Sequence, residues 1–245
     1  AVTAVLLGKG VNPFLVLLVS FGAGLLSGIL TGLIHVKLKV RDLLSGIIMF
    51  TALYTVNLKI PGKAYVPLFT ETTIFDMEFL QVFGSFYGVA MALMVTLAAK
   101  FLLDLYLKTK SGYLLRAVGD NDVVVTALAK DQGNVKILGL AIANGLVALA
   151  GCVFAQEERV FEISMGTGAI VIGLASVIIG TSLFKRLTAF KATTAVLIGS
   201  IIYKACVAAA LRNFEPQAMK LITAVLFLII LIISMERKAK VDKNA

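Results

Sequence analysis

Charge is scarce in this 245-residue chain: 15% of its residues are Asp, Glu, Lys or Arg, 59% are hydrophobic, and the mean hydropathy is +0.97. A soluble domain of this composition could not cover its own surface with polar side chains. Histidine is almost absent. His35 stands alone at the end of an apolar run, which excludes a Ser-His-Asp or Cys-His centre and leaves too few ligands for a metal site. The two cysteines, Cys152 and Cys206, lie in apolar sequence, where reduced thiols act as small hydrophobes. There is no Gly-x-x-x-x-Gly-Lys-Ser/Thr loop. The Gly-x-Gly pairs at Gly8, Gly22 and Gly166 lack both the third glycine and a βαβ context, so no nucleotide site is expected. Apart from Asp104, near the end of one, acidic residues are missing from the apolar runs. No catalytic residue, metal ligand or cofactor of its own is assigned to the chain.

What is abundant is apolar length. Runs extend from Pro13 to Ile34, Leu43 to Leu58, Phe79 to Leu107, Val135 to Ala155, Gly166 to Phe184, Ala189 to Leu211 and Met219 to Ser234. A helix needs ~20 apolar residues to cross hydrocarbon. A barrel strand needs only ~10, with alternating polarity, and these runs are too long and too uniform for that. Ala1 to Leu7 reads as the tail of a further span, and the absence of an initial Met makes an incomplete first span the expectation. The prediction is an all-α polytopic bundle of about eight spans forming one domain over residues 1–245.

The net charge of +9 is distributed by loop. Lys37, Lys39 and Arg41 follow one run; Lys108, Lys110, Arg116 and Lys130 follow another; Lys185, Arg186 and Lys191 form a third basic loop, and the tail carries Arg237, Lys238, Lys240 and Lys243. The loops between them are acidic: residues 59–78 hold Glu71, Asp76 and Glu78, and residues 157–162 hold three glutamates and one Arg. The positive-inside rule puts the basic set in the cytoplasm, with strict alternation through the spans. The excess charge then faces anionic membrane lipid and not nucleic acid.

Small residues at every fourth position (Gly24, Gly28 and Gly32; Gly84, Gly88 and Ala92; Ala169 to Gly173; Ser176 to Gly180) predict grooves for close helix packing, within the chain or against a second subunit. The external segment of about residues 59–78, with Pro61, Gly62 and Pro67, is too long for a simple turn. A re-entrant or surface helix, a docking surface, and an ordered loop are all open readings.

The polar segment of about residues 108–136 has helical grammar. Ser111 can cap a helix from Leu114 onward. Asp120 or Asn121 can cap a second, with Asp122 in its first turn and Val123, Val124, Ala127 and Leu128 forming a small apolar face. Such a helix beside the membrane suits insertion into a cleft on a cytoplasmic partner.

The run Leu115-Arg116-Ala117-Val118-Gly119-Asp120-Asn121, with Ala127 beyond it, resembles the coupling loop of permease subunits in bacterial ATP-binding-cassette importers of the branched-chain amino acid and ribose type. The resemblance continues from Lys136 to Gly151, through Met165-Gly166, from Ile170 to Gly180, and upstream from Thr51 to Leu58. Within that group the chain looks most like permeases assigned to tryptophan or tyrosine uptake. It departs from the pattern at Ala129-Lys130 and at Gly180-Thr181. The resemblance implies a permease of the bacterial cytoplasmic membrane that imports an amino acid, with an aromatic one as the candidate. It would pair with a second permease subunit as homo- or heterodimer, with ATP-binding subunits that carry the ATP and Mg, and with an external solute-binding protein. It implies that Arg116, Gly119, Asp120, Asn121 and Ala127 couple to the ATPase subunit.

A solute path needs polar groups at membrane depth. Thr51, Tyr54 and Thr55 share one helical face, Asn144 lies about nine residues into its run, and Ser176 lies in the run that follows. Each can serve the path, or can bond its own backbone and pin neighbouring helices. The lack of intramembrane acids fits ATP-driven transport better than ion coupling; a stand-alone secondary transporter or channel is the alternative.

Overall fold

The computed structural model describes residues 1–76, 86–120, 132–184 and 191–211, with isolated positions 224, 225, 228 and 232. It divides into two compact units, Ala1–Met165 and Gly166–Ala245. The first holds α1 (Val2–Leu7), α2 (Pro13–Lys37), α3 (Asp42–Lys59), β1 (Tyr65–Pro67), a 3-10 turn (Ile74–Asp76), α4 (Tyr87–Tyr106), α5 (Lys110–Asp120), α6 (Gln132–Glu157) and β2 (Val160–Glu162). The second holds α7 (Ala169–Phe184) and α8 (Ala192–Leu211).

Among the described residues, α2, α4, α6 and the stretch Ala192–Ala209 of α8 are long and apolar enough to cross a membrane, and Ile172–Phe184 of α7 is a shorter apolar helix. A multi-pass helical membrane protein is therefore observed. α1 has only six residues, and the last predicted run, Met219 to Ser234, lies largely outside the described residues. The chain is mostly helical, not all-α: β1 and β2 pair antiparallel, Tyr65 opposite Glu162 and Pro67 opposite Val160.

The first unit is organised by the glycine stripe of α2. Asn12 caps this helix by accepting a 3.0 Å hydrogen bond from the Phe14 amide, and Pro13 occupies its first turn, where a missing N–H costs nothing. α2 and α6 run antiparallel with their backbones almost touching. A Cβ on Gly24 would lie 2.5 Å from Ala148 Cβ, one on Gly28 2.5 Å from Ala141 Cα, and one on Gly32 2.8 Å from Ile137 Cα. Real Cβ atoms do not approach so closely, so only glycine permits this seam. Gly88 of the second predicted groove meets nothing within 4 Å, and Gly84 lies outside the described residues.

The two ends of the first unit differ. At one, Leu7, Val16, Leu68, Phe75, Met91, Cys152 and Phe161 form a buried apolar cluster drawn from α1, both acidic loops and the ends of α2, α4 and α6. At the other lie the end of α2 with the basic loop after it, and α5, which packs through Leu115 on Gly139 near the beginning of α6. The acidic loops thus share one end and the basic loops the other, as the charge pattern predicts for this part of the chain.

In the second unit α7 and α8 pack through Gly180 and Gly199. A Cβ on Gly180 would lie 3.0 Å from Val196 Cα, and one on Gly199 2.6 Å from the Gly180 amide nitrogen. Ala175, Tyr203 and Val207 fill the buried seam between the two helices.

Candidate functional site

Three features of the first unit are built for a task. The first is a cavity of about 310 Å3 between α2, α3 and α6. Ser27 and Thr31 come from α2, Ser45, Met49, Phe50 and Leu53 from α3, and Leu140 and Asn144 from α6. Its polar donors are turned back on their own helices: Thr31 Oγ1 to Ser27 O at 2.9 Å, Ser45 Oγ to Asp42 O at 2.7 Å, and Asn144 Nδ2 to Leu140 O at 2.9 Å. With those donors satisfied, the wall offers a few polar atoms on an apolar background, at the lower end of the ~300–1,000 Å3 range of small-molecule sites.

The second feature is the surface of α5. Gly112 makes a close turn after α4, since a Cβ there would lie 2.5 Å from Leu107 Cα. Thr109, not Ser111, caps the helix: its hydroxyl accepts from the Gly112 amide at 3.2 Å, while Ser111 Oγ pairs with Tyr106 Oη at 2.9 Å. The helix consequently starts at Lys110, earlier than the sequence reading from Leu114. Leu115 lies over Gly139 of α6 and Val118 is buried, so Tyr113, Arg116 and Gly119 are exposed on the other side. Asp120 ends α5. Asn121 and Ala127, with the rest of the predicted second helix, lie outside the described residues.

The third feature is the cap at the opposite end. Of the readings left open for residues 59–78, the described part shows an ordered segment with β1 and a 3-10 turn, in which residues 60–76 fold onto the end of α6. Ile163 N donates to Ala64 O at 3.0 Å and Leu68 N to Arg159 O at 2.8 Å, extending the β1–β2 ladder. Arg159 adopts φ +53, a left-handed conformation costly for a non-glycine residue, and its guanidinium pairs with Asp76. Thr73 donates to the same carboxylate through its amide at 2.9 Å and its hydroxyl at 3.0 Å. Partial burial pushes Asp76 up, but the Thr73 hydrogen bonds and the Arg159 charge outweigh it and hold the carboxyl below its ordinary value of 3.8.

Of the residues predicted for a solute path, the four in the first unit are not gathered in one place. Asn144 lines the cavity. Thr51, Tyr54 and Thr55 are exposed on the other face of α3, with Thr51 Oγ1 bonded to Ile47 O at 2.9 Å. Ser176, in the second unit, is buried and donates to Ile172 O at 2.7 Å. The Lys100–Asp104 ion pair of α4, at 3.0 Å and one turn apart, escaped the sequence reading, although the i, i+4 spacing announces it. Among the described residues no group of His, Cys, Asp and Glu could hold a metal ion.

The family described as the permease component of branched-chain amino acid transport systems matches residues 1–235. The tyrosine transport system permease protein of Clostridioides difficile (strain R20291) is 39% identical over 229 residues, covering 93% of this chain and 75% of that protein. An uncharacterized protein of Rickettsia prowazekii (strain Madrid E) is 29% identical over 219 residues, covering 84% of this chain and 74% of that protein. No solved structure matches. With nearly the whole chain covered, and with spans, glycine seam and exposed α5 in place, the chain belongs to the permease-component family of branched-chain amino acid transport systems.

Proposed function

We propose that this chain is the membrane-spanning subunit of an ATP-driven importer of an aromatic amino acid, working in the bacterial cytoplasmic membrane with its basic loops inside. Tyrosine is the first candidate substrate, on the strength of the relative named for its transport. Two permease subunits, identical or different, form the path. ATP-binding subunits supply ATP hydrolysis, and an external solute-binding protein delivers the substrate at the capped end. Thr51, Tyr54 and Thr55, together with Asn144 and Ser176, are the polar groups assigned to the path.

The observation that carries this reading is α5. A helix held by Leu115 against Gly139, with Arg116 and Gly119 exposed at the basic end, is suited to transmit a push from a cytoplasmic partner into α6. Asp120, Asn121 and Ala127 complete the coupling surface in this proposal. The pairing of Asp104 with Lys100 weighs against the alternative, a stand-alone ion-coupled transporter, because the deepest acid already has a counter-ion within its own helix.

The test is the paired change Asp120→Lys with Asn121→Ala. The expected result is an assembled complex in which uptake and substrate-stimulated ATP hydrolysis both fall at least about tenfold, the loss of one charge-assisted contact. Wild-type uptake and stimulation in that variant would remove the coupling role.

A further inference from the structure

We infer that Lys204 is a carboxylate-binding cation on the solute path, a reading that rests on the amino acid importer proposed above. Lys204 is twelve residues past Ala192 and seven before Leu211 in α8. At 1.5 Å per residue it lies roughly 18 Å from the start of α8 and roughly 10 Å from Leu211, where the apolar run ends before Arg212, well inside a hydrocarbon layer of ~30 Å. The buried stripe of α8 is Ala195, Gly199, Tyr203 and Val207, the face turned to α7. Lys204 is about 100° around the helix from Tyr203 and is exposed.

Two facts separate Lys204 from an ordinary lysine at a membrane boundary. Side chains on a helix lean toward its N-terminus, so Lys204 leans toward the membrane centre and away from the nearer interface, and snorkelling to that interface works against its own Cα–Cβ bond. Its charge is also uncompensated: among the described residues it makes no hydrogen bond or ion pair. Lys100, six residues before the end of α4, shows the other solution, with Asp104 as its counter-ion at 3.0 Å. A second copy of the chain brings no remedy at this depth, because every Asp and Glu other than Asp104 lies outside the apolar runs of the sequence.

An ammonium in such a place needs water and an anion. An amino acid crossing the membrane carries one negative group, its α-carboxylate. Lysine offers a point charge where arginine offers a two-pronged fork, which suits brief holding and release. Lys204 would meet the carboxylate as the solute passes and let it go when the path opens to the other side.

The experiment uses the whole assembly with its ATPase and binding protein, reconstituted in liposomes with L-tyrosine as the solute. Lys204→Gln is expected to lower uptake per assembled complex at least about tenfold, with ATP hydrolysis persisting, whereas Lys204→Arg keeps most of the uptake. In a chain carrying Cys152→Ala and Cys206→Ala, Lys204→Cys is expected to react with aminoethyl methanethiosulfonate, which restores an ammonium on a side chain of similar length and with it uptake. The neutral methyl reagent restores nothing, and L-tyrosine slows the reaction where tyramine, which lacks the carboxylate, does not. Unchanged uptake in Lys204→Gln, or no reaction of the introduced thiol, would put Lys204 outside the path. Poor complex recovery with normal uptake per complex would make it a subunit contact instead, and also overturn the inference. If the unmodified assembly takes up no amino acid, the importer reading itself fails, and this inference with it.

Discussion

The Ile74 amide donates a 3.0 Å hydrogen bond to Gln156 Oε1 across 82 positions of sequence, and both side chains are fully buried. This bond joins the long acidic loop to the end of α6 beneath the β1–β2 ladder. The cap is thereby a fixed part of the helix bundle and presents a defined surface at that end.

Gln156→Leu removes the acceptor and leaves the Ile74 N–H buried without a partner, at a cost of about 1–3 kcal/mol. Hydrogen exchange at the Ile74 amide is expected to rise by one to two orders of magnitude, the equivalent of that cost, while the amides in the middle of α2 and α6 stay protected. Equal loss of protection throughout would mean that the bond supports the whole bundle and not the cap.

Gly28→Val is expected to destabilise the α2–α6 pair by about 3 kcal/mol, because the new side chain meets helix backbone that has no rotamer to give. A Cβ at Gly28 would lie 2.5 Å from Ala141 Cα, whereas one at Gly22 meets nothing within 4 Å. Gly22→Val on the same helix should therefore change stability by no more than about 0.5 kcal/mol. Thermal unfolding in detergent reads both, and equal effects would contradict the seam.

The cap is expected to respond to acid through Asp76. A carboxyl held below its ordinary value in the folded chain contributes stability that is fully present above that value. The contribution is lost as pH falls from 3.8 toward and through the depressed value. Melting midpoints of the wild type and Asp76→Asn should thus differ by a constant amount from pH 7 to pH 5 and converge below that window. A difference that vanishes between pH 7 and pH 5 would show that Asp76 is not held by Thr73 and Arg159.

Much of this was written plainly in the sequence. The four-residue spacing of Gly24, Gly28 and Gly32 marks the α2 seam because a groove needs small residues at helical period, and the alternation of basic and acidic loops marks the two ends of the first unit because charge cannot lie in lipid. The cap was not legible. β1 and β2 are three residues each, too short for any periodicity, and their register is set by contacts such as Leu68 to Arg159 that span the chain. The start of α5 was misplaced because Ser111 and Thr109 are both good caps, and the choice falls on Thr109 only once Ser111 is bound to Tyr106. That Thr51, Tyr54 and Thr55 share a face of α3 follows from the helical period alone. That period says nothing of whether α2 covers the face, and the structure places the cavity on the other side of that helix.

Uptake by the purified assembly in sealed liposomes decides whether a separate ATP-hydrolysing subunit drives transport. L-tyrosine is expected to accumulate only with the ATPase subunit, the binding protein and ATP all present, and to stop when ATP is replaced by a non-hydrolysable analogue. Accumulation by the permease chain alone, driven by a proton or sodium gradient without ATP, would contradict the account.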